Sequence, residues 1–150
     1  MSISQDQPFG VISARTKGRL GELLAAISLE ALGVDAVLCD RDGYDIIAND
    51  PSVGLLKVEV KSAHSIQSKN INSSYKFYNF MTCCGNKKKT PLDPTLVDVV
   101  ALVCVPERKT IFRSVKSLRG MTTKIRPELF NQDDVEYQSW KKTIRYLQQN

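Results

Sequence analysis

Histidine is almost missing from this chain: His64 stands alone among 150 residues. It has no His or Cys neighbour at ligand spacing, so the sequence lacks the nitrogen and sulfur donors that transition-metal sites are built from. Cysteine is sparse as well. Cys83 and Cys84 are adjacent and form no zinc motif, Cys104 stands in an apolar run as a small core residue, and with Cys39 they fit reduced thiols rather than a disulfide framework. There is no apolar stretch of membrane-spanning length and no internal repeat. Residues Met1 to Gln7 have neither the basic start nor the apolar stretch of a signal peptide, so a cytoplasmic protein is expected. What remains, 42% hydrophobic and 25% charged, suits one globular domain over residues 1–150, with residues 1–14 expected as a poorly ordered N-terminal arm.

The clearest signal is charge where a strand should be apolar. In Leu55-Leu56-Lys57-Val58-Glu59-Val60-Lys61, alternation puts Leu56, Val58 and Val60 on one face and Glu59 with Lys61 on the other. A carboxylate and an ammonium in such a run need pairing, hydrogen bonds or an ion, although a strand with one solvated face would carry the same pattern. Upstream, Tyr44-Asp45-Ile46-Ile47-Ala48 reads as a partner strand, and Asn49-Asp50-Pro51-Ser52-Val53-Gly54 as the connection. The hairpin would return Asp45 toward Glu59, where the two carboxylates would suit a hard cation.

A third carboxylate comes from a helix. Lys17 to Leu32 places Leu20, Leu23, Leu24, Ile27 and Ala31 on one stripe, with Gly33 as the stop. Glu22 borders that stripe and either projects toward Asp45 or pairs on the surface with Arg15 or Arg19. Gly18 and Gly21 are poor helix formers whose use would be close approach to a strand or to a phosphate backbone.

Lys17-Gly18 to Glu22, Gly43-Tyr44-Asp45-Ile46 and Val58-Glu59-Val60-Lys61-Ser62, taken in order, resemble the PD-(D/E)XK nuclease core. Tyr75 to Lys89, Val97 to Val103 and Trp140 extend the resemblance, over about residues 17–147, toward the branch of homing endonucleases associated with group I introns. Tyr44 stands where the family name would put a proline. The resemblance implies an α/β, restriction-endonuclease-like domain with a central mixed β-sheet flanked by helices. It also implies Glu22, Asp45, Glu59 and Lys61 as catalytic residues, and Asp45, Glu59 and the Val60 carbonyl as ligands of Mg²⁺, with Mn²⁺ able to substitute. Lys61 would orient or deprotonate the attacking water, and Glu22 would help hold it.

Charge distribution is a separate argument for nucleic acid. Residues 1–60 hold five Lys/Arg against nine Asp/Glu, and residues 61–150 hold sixteen against seven, so a net of −4 is followed by a net of +9. A basic remainder beside an acidic, cation-collecting portion suits a phosphate polyanion. Lys17, Arg19, Ser62, Gln67, Lys69, Asn70, Asn72, Lys76, Lys87, Lys88 and Lys89 are the candidate DNA contacts, with Gln67, Asn70 and Asn72 able to pair with base edges. For the amides the alternative is a solvated polar loop. His64 reads as a surface or loop residue.

Leu96 to Val105 is nearly all apolar, as in a central strand, with Asp98 as its anomaly, and Thr110 to Arg113 follows as another strand. Asp133 or Asp134 to Gln148 reads as a helix packing through Trp140, Ile144 and Leu147. Cutting both strands of DNA needs two sites, so a homodimer or a homotetramer built as a dimer of dimers is expected. The leading expectation is a site-specific homing endonuclease acting on double-stranded DNA, nucleoid-associated when bound. Alternatives are a junction resolvase, a restriction- or repair-type nuclease and, last, a DNA-binding module without catalysis.

Overall fold

The computed structural model describes residues 13–41 and 43–150. In chain order its elements are α1 (Ala14–Ala31), β1 (Asp35–Arg41), β2 (Tyr44–Asp50), β3 (Gly54–Ala63), β4 (Gln67–Ser68), β5 (Lys76–Phe80), β6 (Cys83–Cys84), β7 (Thr90–Pro91), β8 (Val99–Cys104), β9 (Lys109–Ser114), β10 (Thr123–Ile125), α2 (Pro127–Phe130) and α3 (Val135–Gln149). Five strands form the central sheet in the order β1-β2-β3-β8-β9. β3 and β8 run parallel, while the other three pairings are antiparallel, so the sheet is mixed as expected.

The expected hairpin is present and longer, β2 starting at Tyr44 and β3 reaching Ala63. β1, which was not anticipated, lies along its outer side and pairs Val37 with Ile47 and Leu38 with Ile46. β8 is apolar on both faces because both are covered. Val99, Ala101 and Val103 join Ile46, Ala48, Val58, Ala25 and Leu29 in one cluster, which α1 and α3 roof over. Val100, Leu102 and Cys104 belong to a second cluster with Tyr78, Phe80, Ile125 and Phe130, supplied by a smaller sheet of order β10-β5-β4 and by α2. Asp98, the polar anomaly, ties strands together: it accepts the Lys57 N–H on its carboxylate at 2.8 Å, while its own N–H donates to the Lys57 carbonyl at 2.9 Å.

α1 starts earlier than expected. The Ser13 hydroxyl accepts the Thr16 N–H at 3.2 Å as an N-cap, and Gly33, at φ +80°, ends the helix. Most of the expected N-terminal arm lies outside the described residues. Of that arm, Ser13 and Ala14 are the cap and first residue of α1. The expected leucine stripe is not the buried face: Leu23 and Ile27 are 40% and 64% exposed, whereas Gly21, Ala25, Ser28 and Leu29 are buried. Small side chains bring the helix axis close to the sheet. A Cβ on Gly21 would sit 3.0 Å from the Ser62 Cβ and 3.6 Å from a Val60 methyl.

α3 closes the β9 edge. Ser139 Oγ accepts the Phe112 N–H at 3.0 Å and Thr143 Oγ1 donates to the Phe112 carbonyl at 3.0 Å, so hydroxyls satisfy the two backbone groups that Phe112 presents at this edge. The expected packing stripe holds, with Trp140 and Ile144 buried and Leu147 partly so. The Trp140 indole N–H also donates to Asp50 Oδ2 at 2.8 Å at the end of β2. Burial works against the Asp50 charge, but hydrogen bonds from Ser52, Trp140 and Val53 hold the carboxyl below the usual carboxylate range. No helix among the described residues is long and apolar enough to cross a membrane.

Candidate active site

The pairing of β2 with β3 runs from Asp50 opposite Gly54 to Ile46 opposite Val58 and stops there. One residue further, Asp45 and Glu59 occupy the place where another pair would form. Asp45 Oδ2 accepts the Val60 N–H at 2.8 Å, so a carboxylate takes the position of a backbone carbonyl. Lys61, on the same face as Glu59, reaches its Oε1 at 3.2 Å, the two side chains being 22% and 15% exposed. The buried polar pair inferred from alternation is thus present, with each partner satisfying the other.

Burial pushes the Asp45 carboxyl up, and the nearby Glu22 charge adds to this, while the Val60 N–H and the Lys61 ammonium work the other way. Glu59 is displaced further. Burial, followed by the charge of Asp45, raises it from 4.5 to about 7 against the pull of Lys61. Two acids disfavouring each other's ionisation beside a single ammonium form a site short of positive charge.

Glu22 arrives through the close seating of α1. Because Gly21 rests on Ser62 and Val60, its neighbour Glu22 lies within electrostatic reach of both Asp45 and Glu59. It is also held by Arg19, whose guanidinium is 3.2 Å from Glu22 Oε2, which is the surface pairing expected as the alternative for this residue. Cys39 on β1 is a neighbour that sequence reasoning missed: burial, then the Asp45 charge, pushes its thiol up. Its signal was the apolar alternation of Ala36, Leu38 and their neighbours, which marks β1, the strand that pairs with β2 as far as Leu38 opposite Ile46.

Donor chemistry at this site is oxygen. Among the described residues no three His, Cys, Asp or Glu side chains form a ready metal cluster. Mg²⁺ uses one or two carboxylates and keeps its remaining positions for water and phosphate. Asp45 and Glu59 each retain one carboxylate oxygen outside the Val60 and Lys61 contacts just described, so the residues present fit an open site of that kind.

The candidate DNA contacts divide by position. Lys17 and Arg19 are exposed on the first turns of α1. Ser62 lies on the α1 side of β3, opposite to Lys61, with its hydroxyl 3.3 Å from His64 Nε2. Burial and then the charge of Lys17 hold His64 below its ordinary range. Gln67 is exposed on β4 opposite Phe77, Lys69 is exposed just beyond, and Lys76 is exposed on β5. Asn70 and Asn72 are exposed, but the Asn70 side chain is occupied in a local turn, accepting the Asn72 N–H at 3.1 Å. Lys87, Lys88 and Lys89 are exposed in the loop joining β6 to β7, where Gly85, at φ +102°, has no room for a Cβ against the Lys88 carbonyl.

A five-stranded mixed sheet with α1 and α3 on one face, carrying acids at the parting of a central hairpin, defines a mixed α/β fold. The solved structure of a bacterial homing endonuclease, I-Ssp6803I, is similar to it, with a TM-score of 0.60 and 17% sequence identity over 76% of this chain and 78% of that one. The chain matches no protein-family model and no curated protein.

Proposed function

We propose that this chain is a Mg²⁺-dependent endonuclease of the PD-(D/E)XK type that cleaves double-stranded DNA at specific sites, as a homing endonuclease does. The observation that carries the reading is the meeting of Glu22, Asp45, Glu59 and Lys61 where β2 and β3 part, with both hairpin carboxyls raised by burial and by neighbouring acids. The fold shared with I-Ssp6803I and the net charge of +9 over residues 61–150 support it.

Asp45, Glu59 and the Val60 carbonyl are the residues that would hold Mg²⁺, with Mn²⁺ able to substitute. A bound divalent cation supplies charge stabilisation at the phosphate oxygens. The Val60 N–H fixes one oxygen of Asp45 and so orients the other. Lys61, steered by Glu59, supplies an ammonium that orients the attacking water and offsets charge growing on the phosphate. Glu22 positions that water from the helix side. Cutting both strands requires two copies of the site, which a homodimer or a dimer of dimers provides.

The test is cleavage by the purified chain of a complex linear duplex library mixed with a labelled four-way junction, with Mg²⁺ or with EDTA, and with Lys61→Ala as control. Discrete Mg²⁺-dependent cuts in rare duplexes, lost in Lys61→Ala while duplex binding is kept, are expected. Paired nicks confined to the junction would replace this reading with a resolvase, and duplex binding without cutting would remove catalysis.

A further inference from the structure

The small sheet covering the second core cluster has an outer face that this cluster does not use, on which Phe77 is buried. Lys124 on β10 stands directly opposite Asn79 on β5, and Gln67 on β4 opposite Phe77. By alternation Tyr75, Phe77 and Asn79 share this outer face with Lys124 and Arg126, while Tyr78, Phe80 and Ile125 point inward to the core. Lys124 Nζ sits 4.8 Å from the Phe77 ring centroid, and the Arg126 guanidinium 5.2 Å from that of Tyr75, whose ring is 5.6 Å from Phe77. Both cations are exposed and shelved on aromatic rings, and neither pairs with a carboxylate among the described residues.

Across from Lys124 lies an unmet polar group. Asn79 Oδ1 is buried and has no hydrogen-bond partner among the described residues, and its Nδ2 has a 3.9 Å contact with the Met81 sulfur. A primary amide offers an acceptor and two donors, and a buried one left unpaired gives up its hydration without a replacement bond. The surroundings are acid-free in sequence as well. No Asp or Glu occurs between Glu59 and Asp93, the stretch that contains β4 and β5, nor between Glu107 and Glu128, the stretch that contains β10.

Resting on the reading of the chain as a DNA nuclease, we infer that the outer face of β5 and β10 is the surface that enters the major groove of double-stranded DNA, with Asn79 as a base-reading residue and Lys124 and Arg126 as phosphate contacts. Shape agrees: the face is a narrow ribbon, β5 of five residues flanked by β10 of three and β4 of two, which the major groove of B-form DNA, about 12 Å wide, accommodates. The deep, narrow major groove of an RNA duplex does not. Asn79 carries the donor and acceptor that pair side by side with the N6 and N7 edge of adenine, and its amide, buried at Oδ1 in the free protein, turns outward to do so. The ribbon also packs beside the catalytic strand, since β5 contacts β3 and the cluster beneath it includes Ala63, two residues beyond Lys61 on the same face.

The experiment measures binding of the full chain to a random-sequence DNA duplex by fluorescence anisotropy across a salt series, in EDTA, and then maps its cleavage sites with Mg²⁺. Lys124→Gln with Arg126→Gln, which keeps the side-chain stems, is compared with Lys142→Gln with Arg145→Gln, which removes equal charge from α3. The first pair is expected to flatten the slope of log K against log salt by about 1.8, about 0.9 for each phosphate no longer neutralised, and the second to leave it unchanged. Asn79→Ala is expected to relax the base preference at one position per half-site, reducing discrimination there about 5- to 150-fold with overall binding kept, as one bidentate contact worth about 1–3 kcal/mol implies. Equal slopes for both pairs, an unchanged site profile for Asn79→Ala, or a preference for duplex RNA would overturn the ribbon assignment while wild-type cutting leaves the nuclease reading intact. A wild-type chain that binds no duplex would overturn both.

Discussion

Replacing Glu59 by Gln should make this protein more stable and inactive at once. Glu59 rises from 4.5 in the unfolded chain to about 7 in the fold, chiefly through burial and then the Asp45 charge. An acid raised on folding disfavours the fold wherever it must be ionised. Its penalty is small at and below pH 4.5, grows as pH climbs from 4.5 toward 7, and is fully present above that. The change of about 2.5 in pKa, at about 1.36 kcal/mol for each pH unit, sets a ceiling of about 3 kcal/mol at pH 8, and relaxation of a side chain that is 15% exposed lowers the expectation to about 1–2 kcal/mol. Gln keeps the shape and can still accept from Lys61, whose charge remains balanced by Asp45. Urea unfolding of both proteins in EDTA at pH 8 and pH 4.5 measures it: the variant gains about 1–2 kcal/mol at pH 8 and less than about 0.5 kcal/mol at pH 4.5. A variant less stable than wild type at pH 8, or one with the same gain at both pH values, refutes the account of a site strained by its own acids.

Gly21→Ala puts a Cβ 3.0 Å from the Ser62 Cβ, a contact tight enough that Ser62 or α1 gives by a few tenths of an ångström. A loss of about 1–3 kcal/mol by thermal unfolding is expected, with a fall in cutting larger than the stability loss explains because Glu22 moves with the helix. Trp140→Phe removes the N–H that Asp50 accepts at 2.8 Å, and should cost about 1–3 kcal/mol at pH 7, with the deficit narrowing in acid as Asp50 protonates. Replacing Lys87, Lys88 and Lys89 together by Ala should weaken binding to all duplex sequences and flatten its salt dependence. An unchanged slope removes that loop from the phosphate interface.

The hairpin and its charged pair were legible because a Glu and a Lys in an apolar run demand a partner, and local alternation alone puts them on one face. Its helix was legible in extent but not in orientation. Leu23 and Ile27 look like a core stripe, yet α1 seats itself through Gly21, Ala25 and Ser28, whose small size reads as weakness in a sequence and acts as closeness in a fold. β1 was missed because its flanking Asp35, Asp40 and Arg41 mask a short apolar alternation. The small sheet was out of reach for a different reason: Tyr75 to Phe80 carries strand-like aromatics, but the partner that gives them a second side, Thr123 to Ile125, lies more than forty positions away. Cation shelves and the orphaned Asn79 oxygen exist only once those two segments meet.

The helix that closes the β9 edge has a consequence for timing. Glu22, Asp45, Glu59 and Lys61 all lie within the first 61 residues, yet the framework that brings them together is supplied much later: β8 alongside β3, Ser139 and Thr143 on Phe112, Trp140 on Asp50, and the hydrogen bond from Ser28 of α1 to Glu136. A chain interrupted before Val99 has these four side chains and none of this scaffold, so its acids sit in water with ordinary acidity and no fixed geometry. For a chain read as a DNA-cutting enzyme, a prematurely terminated translation product is therefore harmless to the genome that encodes it.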